Sequence, residues 1–270
     1  MTLPSLRILL NRLPGASRVG AWLGERRFRA WKKRNPGRDF SHFYVDDVLA
    51  RLRKGKGHPT LGRRGFLRQR AGTVTWTSES FSERGAAQWA YYSKVTGAGP
   101  GKTCVDFGCG SLRIGQHAFR DLQAGHYWGL DVTDAFINEG LALIDPALIV
   151  DKQPRFSIIN DATLDDVRAW RPDCIFANAV VQHVPLGELK PFFGRIARIM
   201  TPGTIAAMVF IPGSSVRRVK ATSWAYPDEV LTCAIAEVDR ELEAECLAIE
   251  GDDASAFHQG RRLLRIRRAA

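Results

Sequence analysis

The chain has 270 residues, 45% of them hydrophobic and 25% charged, which is ordinary for a soluble protein and sufficient for one large α/β domain, or a domain of about 200 residues with an extension. Its net charge of +11 is unevenly placed: residues 1–72 carry 18 Lys and Arg against four acids, and the remainder is slightly acidic. Five cysteines, an odd number with no C-x-x-C pair, and six histidines without ligand spacing indicate neither a disulfide framework nor a metal site. The cysteine pattern makes a reducing cytoplasm the expected location, and no apolar run is long enough for a signal-peptide core or a membrane span.

In chain order, residues 1–40 mix leucines and aromatics (Trp22, Leu23, Phe28, Trp31) with the basic clusters Arg26-Arg27 and Lys32-Lys33-Arg34. Amphipathicity here is imperfect, since Val19, Trp22, Leu23 and Ala30 share a helical face that Phe28 and Trp31 do not. Such a stretch suits an anionic membrane surface, which would place the protein peripherally at the inner face of a membrane; the alternative is an arm whose aromatics pack on the neighbouring domain. Tyr44, Val45, Val48, Leu49 and Leu52 line one helical face, with Ser41 as a cap and Gly55 and Gly57 as stops. Residues 54–70 read as loop, residues 73–77 as a short strand or extended approach, and residues 81–95 as a helix. The glycine-rich run at residues 97–101 is then a clear boundary.

Beyond it, strands are expected at residues 104–107, 127–132, 156–159, 174–179 and 205–211, with helices at 112–122, 135–144, 164–170 and 186–200 between them. This alternation predicts a Rossmann-like, mostly parallel sheet with helices on both faces. A helix at 228–238 and two antiparallel strands at 242–249 and 262–266 close the sheet as a C-terminal hairpin. The domain reading is thus a basic, partly helical extension at 1–72 and an α/β domain at 73–270.

The chemistry concentrates at the first turn, Asp106-Phe107-Gly108-Cys109-Gly110. Glycines after a buried strand let a ligand approach the backbone, and the next helix offers unpaired N–H groups. Arg113 stands where a dinucleotide fingerprint needs its third glycine, and no Gly-Lys-Ser/Thr loop exists, so NAD and ATP are disfavoured. The turn resembles motif I of class I S-adenosylmethionine-dependent methyltransferases, although Leu112 occupies a position where that family commonly has glycine. Asp131 ends the second strand 21 residues after Gly110, where a carboxylate can accept two ribose hydroxyls. Asp161 ends the third strand. The resemblance implies S-adenosylmethionine as cofactor. It further implies Asp106, Gly108, Cys109, Gly110, Asn178 and Ala179 near its methionine end, Asp131 and Val132 at the ribose, and Asp161 and Ala162 at the adenine.

After the fourth strand, Gln182 and His183 face the expected acceptor, and His183 is the candidate general base, with a structural or substrate-positioning role as its alternative. Aromatics at Trp76, Trp89, Tyr91, Tyr92, Trp224 and Tyr226 either cover the ligands or form core. The expected activity is methyl transfer to a small-molecule, glycan or lipid-linked acceptor, at oxygen. The alternatives are RNA methylation, with the basic arm on phosphates, and an inactive membrane- or nucleic-acid-binding protein. No base-amine methyltransferase signature and no Pro-Cys nucleophile is present.

Overall fold

Cys104–Phe107 (β1) and Tyr127–Asp131 (β2) are buried along their whole length, as near-continuous apolar strands must be when both faces of a parallel sheet are covered. The computed structural model describes residues 16–54, 78–257 and 260–268. It opens with helices Ala16–Arg34 (α1), Phe40–Arg53 (α2) and Ser78–Thr96 (α3); the expected strand at 73–77 lies outside the described residues. After β1 come Gly115–Asp121 (α4), β2, Asp134–Leu141 (α5), Pro146–Lys152 (α6), Arg155–Ile158 (β3) and Asp161–Trp170 (α7). Cys174–Asn178 (β4), Leu189–Ile199 (α8), Ile205–Phe210 (β5), Arg217–Lys220 (β6), Ser223–Ala225 (β7), Asp228–Val238 (α9), Leu242–Ala248 (β8) and Arg262–Arg268 (β9) complete the fold.

The seven-stranded sheet runs β3-β2-β1-β4-β5-β9-β8, its first five strands parallel and β9 antiparallel to both neighbours. Strand order reverses between β1 and β4, which opens a crevice at their carboxyl ends, where such sheets place ligands. Alternation along β1 divides the core. Val105 and Phe107 join a cluster with Phe192, Phe193 and Ile196 of α8, whereas Cys104 joins Tyr92 of α3 and Phe119 of α4 on the other face.

The first two helices share this core. Trp31, Phe40 and Phe43 belong to the cluster that contains Phe107 and Trp224, and Phe40 meets the Trp224 ring edge-on at 4.8 Å. Packing on the neighbouring domain is therefore the fate of Phe28 and Trp31, while Trp22 and Leu23 stay exposed. Trp89, Tyr91, Tyr92, Trp224 and Tyr226 are likewise buried core; Trp76 lies outside the described residues.

Two features depart from expectation. Cys104 and Cys174 form a disulfide, although the cysteine pattern indicated none. They are register partners on adjacent parallel strands with Cα atoms 4.8 Å apart, a proximity that a separation of 70 residues conceals. The antiparallel pair β6–β7 is also new: its short, basic first strand gives no alternating signal, and Ala221-Thr222 is not a typical hairpin dipeptide.

Candidate active site

The glycine turn is laced to the end of β2. The Gly108 and Cys109 N–H groups donate to the Leu130 carbonyl at 2.7 and 3.0 Å, and the Gly110 N–H donates to Asp131 Oδ2 at 2.7 Å. The other oxygen, Asp131 Oδ1, accepts the Val132 N–H at 2.7 Å. Gly108 has φ +82°, and a Cβ there would sit 2.5 Å from Val180 Cγ2, so only glycine lets the turn lie against the segment after β4. Leu112 explains its own irregularity. Its φ of +59° is left-handed, the reason glycine suits the position, but its side chain is fully buried with Cys109 and Ile137. Packing offsets the backbone cost.

Behind the turn, Asp106 is buried and accepts the Tyr127 hydroxyl at 2.9 Å. Burial pushes its carboxyl up to about 8, the Tyr127 bond opposes that, and Asp131 adds to it. Burial likewise pushes Asp131 up to about 6 against its backbone donors, and drives the Cys109 thiol well above its ordinary range. Arg113 lies near enough to feel Asp106, and burial with the neighbouring Arg84 lowers it to about 10.

The β4 end supplies the opposite wall. Tyr92 from α3 donates its hydroxyl toward Ala177 O and Asn178 Oδ1, both at 3.3 Å, and Ala179 takes a left-handed φ of +61°. One turn later His183 sits in a 3-10 helix spanning Val181–His183. Its Nδ1 meets the Thr222 carbonyl of the β6–β7 turn, so Nδ1 carries the proton and Nε2 is left as the acceptor, 3.3 Å from Gln182 Nε2. Gln182 Oε1 accepts from Arg261 at 2.6 Å. Burial lowers the imidazole to about 4, partly opposed by the Thr222 bond and aided by the charges of Arg261 and Lys220.

Helix α2 lies across the opening. Tyr44 packs its ring 4.9 Å from His183 and 6.4 Å from Phe136, which follows Asp131. Glu188, just before α8, accepts the Phe40 N–H at 2.9 and 3.1 Å and so holds the α2 N-terminus beside this wall.

The predicted residues thus fall in two places. Asp106, Gly108, Cys109, Gly110, Asp131, Val132, Asn178, Ala179 and His183 converge on the carboxyl ends of β1, β2 and β4. Asp161 and Ala162 begin α7 on the exposed surface, where Asn160 is the cap and Asp161 pairs with Arg198 at 2.8 Å. That pair is solvent-exposed, its arginine is shared with Asp165, and it does not fix the carboxylate in place.

A family model described as a methyltransferase domain matches residues 105–206, which span β1 to the start of β5 and hold every one of these residues. This part of the chain is a methyltransferase domain. Among solved structures, magnesium protoporphyrin IX methyltransferase of Synechocystis PCC 6803 is similar in fold. Its form with bound S-adenosylhomocysteine aligns at 13% identity over 85% of this chain and 98% of that one, with a TM-score of 0.54. The form with S-adenosylmethionine aligns at 15% identity over 76% and 91%, with a TM-score of 0.52. A glycopeptide N-methyltransferase complexed with sinefungin aligns at 7% identity over 68% and 94%, with a TM-score of 0.50. No curated protein matches the sequence.

For a methyltransferase, the division of the crevice is informative. The β1–β2 half presents a carboxylate and a glycine turn. The β4–β5 half presents an imidazole, an amide and a guanidinium. Sequence reading did not find Tyr44, Thr222, Glu188 or Arg261. Tyr44 reads as one more apolar position on a helical face, Thr222 acts through its backbone, and the other two gain meaning only from tertiary contact. Among the described residues, no group of His, Cys, Asp and Glu is arranged to hold a metal ion, and no helix is long and apolar enough to cross a membrane.

Proposed function

We propose that this methyltransferase binds S-adenosylmethionine over β1 and β2 and transfers its methyl group to an oxygen of a small-molecule, glycan or lipid-linked acceptor held over β4 and β5. The observation that carries the reading is Asp131, buried at the end of β2 with its carboxylate against the Gly110 N–H. The carboxylate accepts the Gly110 and Val132 N–H groups, faces the Thr133 N–H as well, and keeps acceptor capacity toward the crevice for the ribose hydroxyls. When bound, S-adenosylmethionine supplies an electrophilic methyl group on a sulfonium. Gly108, Cys109 and Gly110 give its methionine part a surface, with Asn178 and Ala179 opposite. Asp161 turns from its exposed pair with Arg198 toward the adenine amino group, beside Ala162.

His183 is neutral at pH 7, with its proton fixed on Nδ1 by Thr222. Its Nε2 exchanges the 3.3 Å contact with the Gln182 amide for an acceptor hydroxyl, orients it and takes its proton as transfer proceeds. A base this weak contributes less than the alignment of acceptor and methyl group, which can supply several kcal/mol by itself. The reading is tested by calorimetry with S-adenosylhomocysteine, followed by labelled-methyl transfer against lipid, glycan, RNA and small-molecule pools. Absence of cofactor binding overturns it, and label confined to RNA moves the acceptor to the nucleic-acid alternative.

We further propose a cytoplasmic protein attached peripherally to an anionic membrane. Trp22 and Leu23 are exposed together on α1, and the Arg26 guanidinium lies 4.8 Å from the Trp22 ring centroid, an arrangement suited to a lipid interface. Co-sedimentation with anionic vesicles should fall on replacing both residues by alanine; unchanged binding refutes the attachment.

A further inference from the structure

The arginines of β9 differ in their partners. Arg262 pairs with Asp228 at 2.8 Å, Arg265 with Glu245 at 2.7 Å, and Arg268 with Glu241 at 2.9 Å and with Asp239. Among the described residues, Arg261, one residue before that strand, bonds to the neutral Gln182 amide oxygen, and no carboxylate pairs with it. It is partly buried, and that burial lowers its proton affinity, the mark of a charge whose solvent is not replaced by a counter-ion. A guanidinium has five donors in a planar fork, of which one N–H is engaged here.

The position is equally informative. Arg262 pairs with Phe210 at the carboxyl end of β5, so Arg261 stands on the same edge of the sheet as Asn178 and the glycine turn. Gln182 connects it to His183: Oε1 faces Arg261, and Nε2 faces the imidazole. Lys220, on the strand that leads to Thr222, adds a second positive charge felt by His183. Two positive charges thus act on the neutral imidazole at the end of β4.

We infer that Arg261 and Gln182 form an anion subsite beside His183, and that the acceptor carries a carboxylate or phosphate that this subsite holds while its nucleophilic atom faces the methyl group. This inference rests on the assignment of the β4–β5 half of the crevice to the acceptor. Charge-assisted, forked hydrogen bonds from arginine are the strongest available to such a group, and a partly desolvated guanidinium gains most from them. The subsite thereby excludes neutral acceptors of the same shape, because they leave the arginine unpaired.

The test is histidine-labelled NMR of the full chain, with and without S-adenosylhomocysteine, titrated with inorganic phosphate or with acetate at constant ionic strength made up with chloride. One or both anions should displace the His183 ring resonances saturably, and the stronger of the two names the acceptor's group. Arg261→Gln should weaken that response at least about tenfold, the loss of a charge-assisted contact. Arg261→Lys should retain part of it. Gln182→Glu, which gives Arg261 an internal carboxylate, should abolish it in a protein with an unchanged melting curve. A response equal in wild type and Arg261→Gln, or no saturable response to either anion, overturns the subsite. Cofactor affinity, measured on the same samples by calorimetry, separates this failure from a failure of the methyl-transfer reading.

Discussion

Tyr44 packs its ring 4.9 Å from His183, so a helix from the basic N-terminal region forms part of the wall of the methyltransferase crevice. The contact is anchored at the N-terminus of the helix. Phe40 fills the space beside Trp224, and Glu188 holds the Phe40 N–H. Excess charge and core packing therefore coexist in one stretch of chain. Charge identifies it as an attachment, and its aromatics make it part of the fold.

Replacing Tyr44 by alanine removes the ring that packs against His183. Methyl transfer should fall about ten- to a hundredfold, the scale of misplacing an aligned group, while S-adenosylhomocysteine affinity changes by less than about threefold. Single-turnover transfer and calorimetry on the same variant separate the two. An equal loss in both would show that Tyr44 serves the cofactor instead.

Asp131→Asn should weaken S-adenosylhomocysteine binding by about ten- to a hundredfold, because an amide offers one acceptor where the carboxylate serves Gly110, Val132 and two hydroxyls. Asp161→Asn should cost less than about tenfold, since its carboxylate must leave Arg198 to reach the adenine. Calorimetry on the pair checks the ranking. Indistinguishable affinities would misplace the ribose site.

The sheet, and the meeting of Asp131 with the glycine turn, were legible because each depends on local pattern. Apolar strands alternate with helices, and Asp131 follows Gly110 at an interval that the βαβ unit sets. The acceptor half was not legible. Arg261 reaches Gln182 across 79 residues, and Thr222 acts through a carbonyl that no side-chain pattern encodes. The β4 end could be placed, but not what the chain folds over it. The Cys104–Cys174 pair was hidden for the same reason, because strand order and not sequence spacing brings the two together.

Stability should depend on pH through the two buried acids. Asp106 and Asp131 have folded-state values raised to about 8 and about 6, above the 3.8 of an unperturbed carboxyl. Between those limits the folded chain holds more protons than the unfolded chain, so their contribution is complete below about pH 4 and is lost as pH rises toward 8. In the cofactor-free protein, Asp106→Asn should flatten the fall in Tm between about pH 5 and pH 8 while retaining an acceptor for the Tyr127 hydroxyl. Differential scanning calorimetry across that range tests the assignment, and an unchanged slope in the variant would remove Asp106 as its source. Cofactor affinity should rise over the same window, as a cationic ligand favours the ionised acids.

Leu112 should invert the usual order of small substitutions. At a buried right-handed position glycine is less stable than alanine by about 0.5–1 kcal/mol. Here alanine loses the leucine packing, about 2–5 kcal/mol, and keeps the left-handed backbone, whereas glycine loses the packing and relieves about 1–2 kcal/mol of backbone cost. Leu112→Gly should therefore be at least as stable as Leu112→Ala in urea unfolding. A clear deficit for glycine would mean that the turn relaxes in the alanine variant.

Gly24 gives the most direct link between the basic helix and the chemistry. A Cβ at this position would lie 2.5 Å from the Ala221 carbonyl oxygen, so α1 approaches the β6–β7 turn only because Gly24 has no side chain. The next residue, Thr222, is the acceptor that fixes the His183 proton on Nδ1. Glu25 reaches Arg218 at 3.1 Å, and Arg218 lies 4.4 Å from the Trp224 ring centroid, so the hairpin is clamped on the same side. Gly24→Ala must displace either the helix or the turn. Displacement of the turn lengthens the Thr222 bond and frees the imidazole to exchange tautomers, which lowers methyl transfer about tenfold with cofactor affinity unchanged. The histidine nitrogen shifts of the variant distinguish this from simple unfolding: a mixed tautomer signal is expected, and a wild-type spectrum with reduced transfer would place the effect elsewhere.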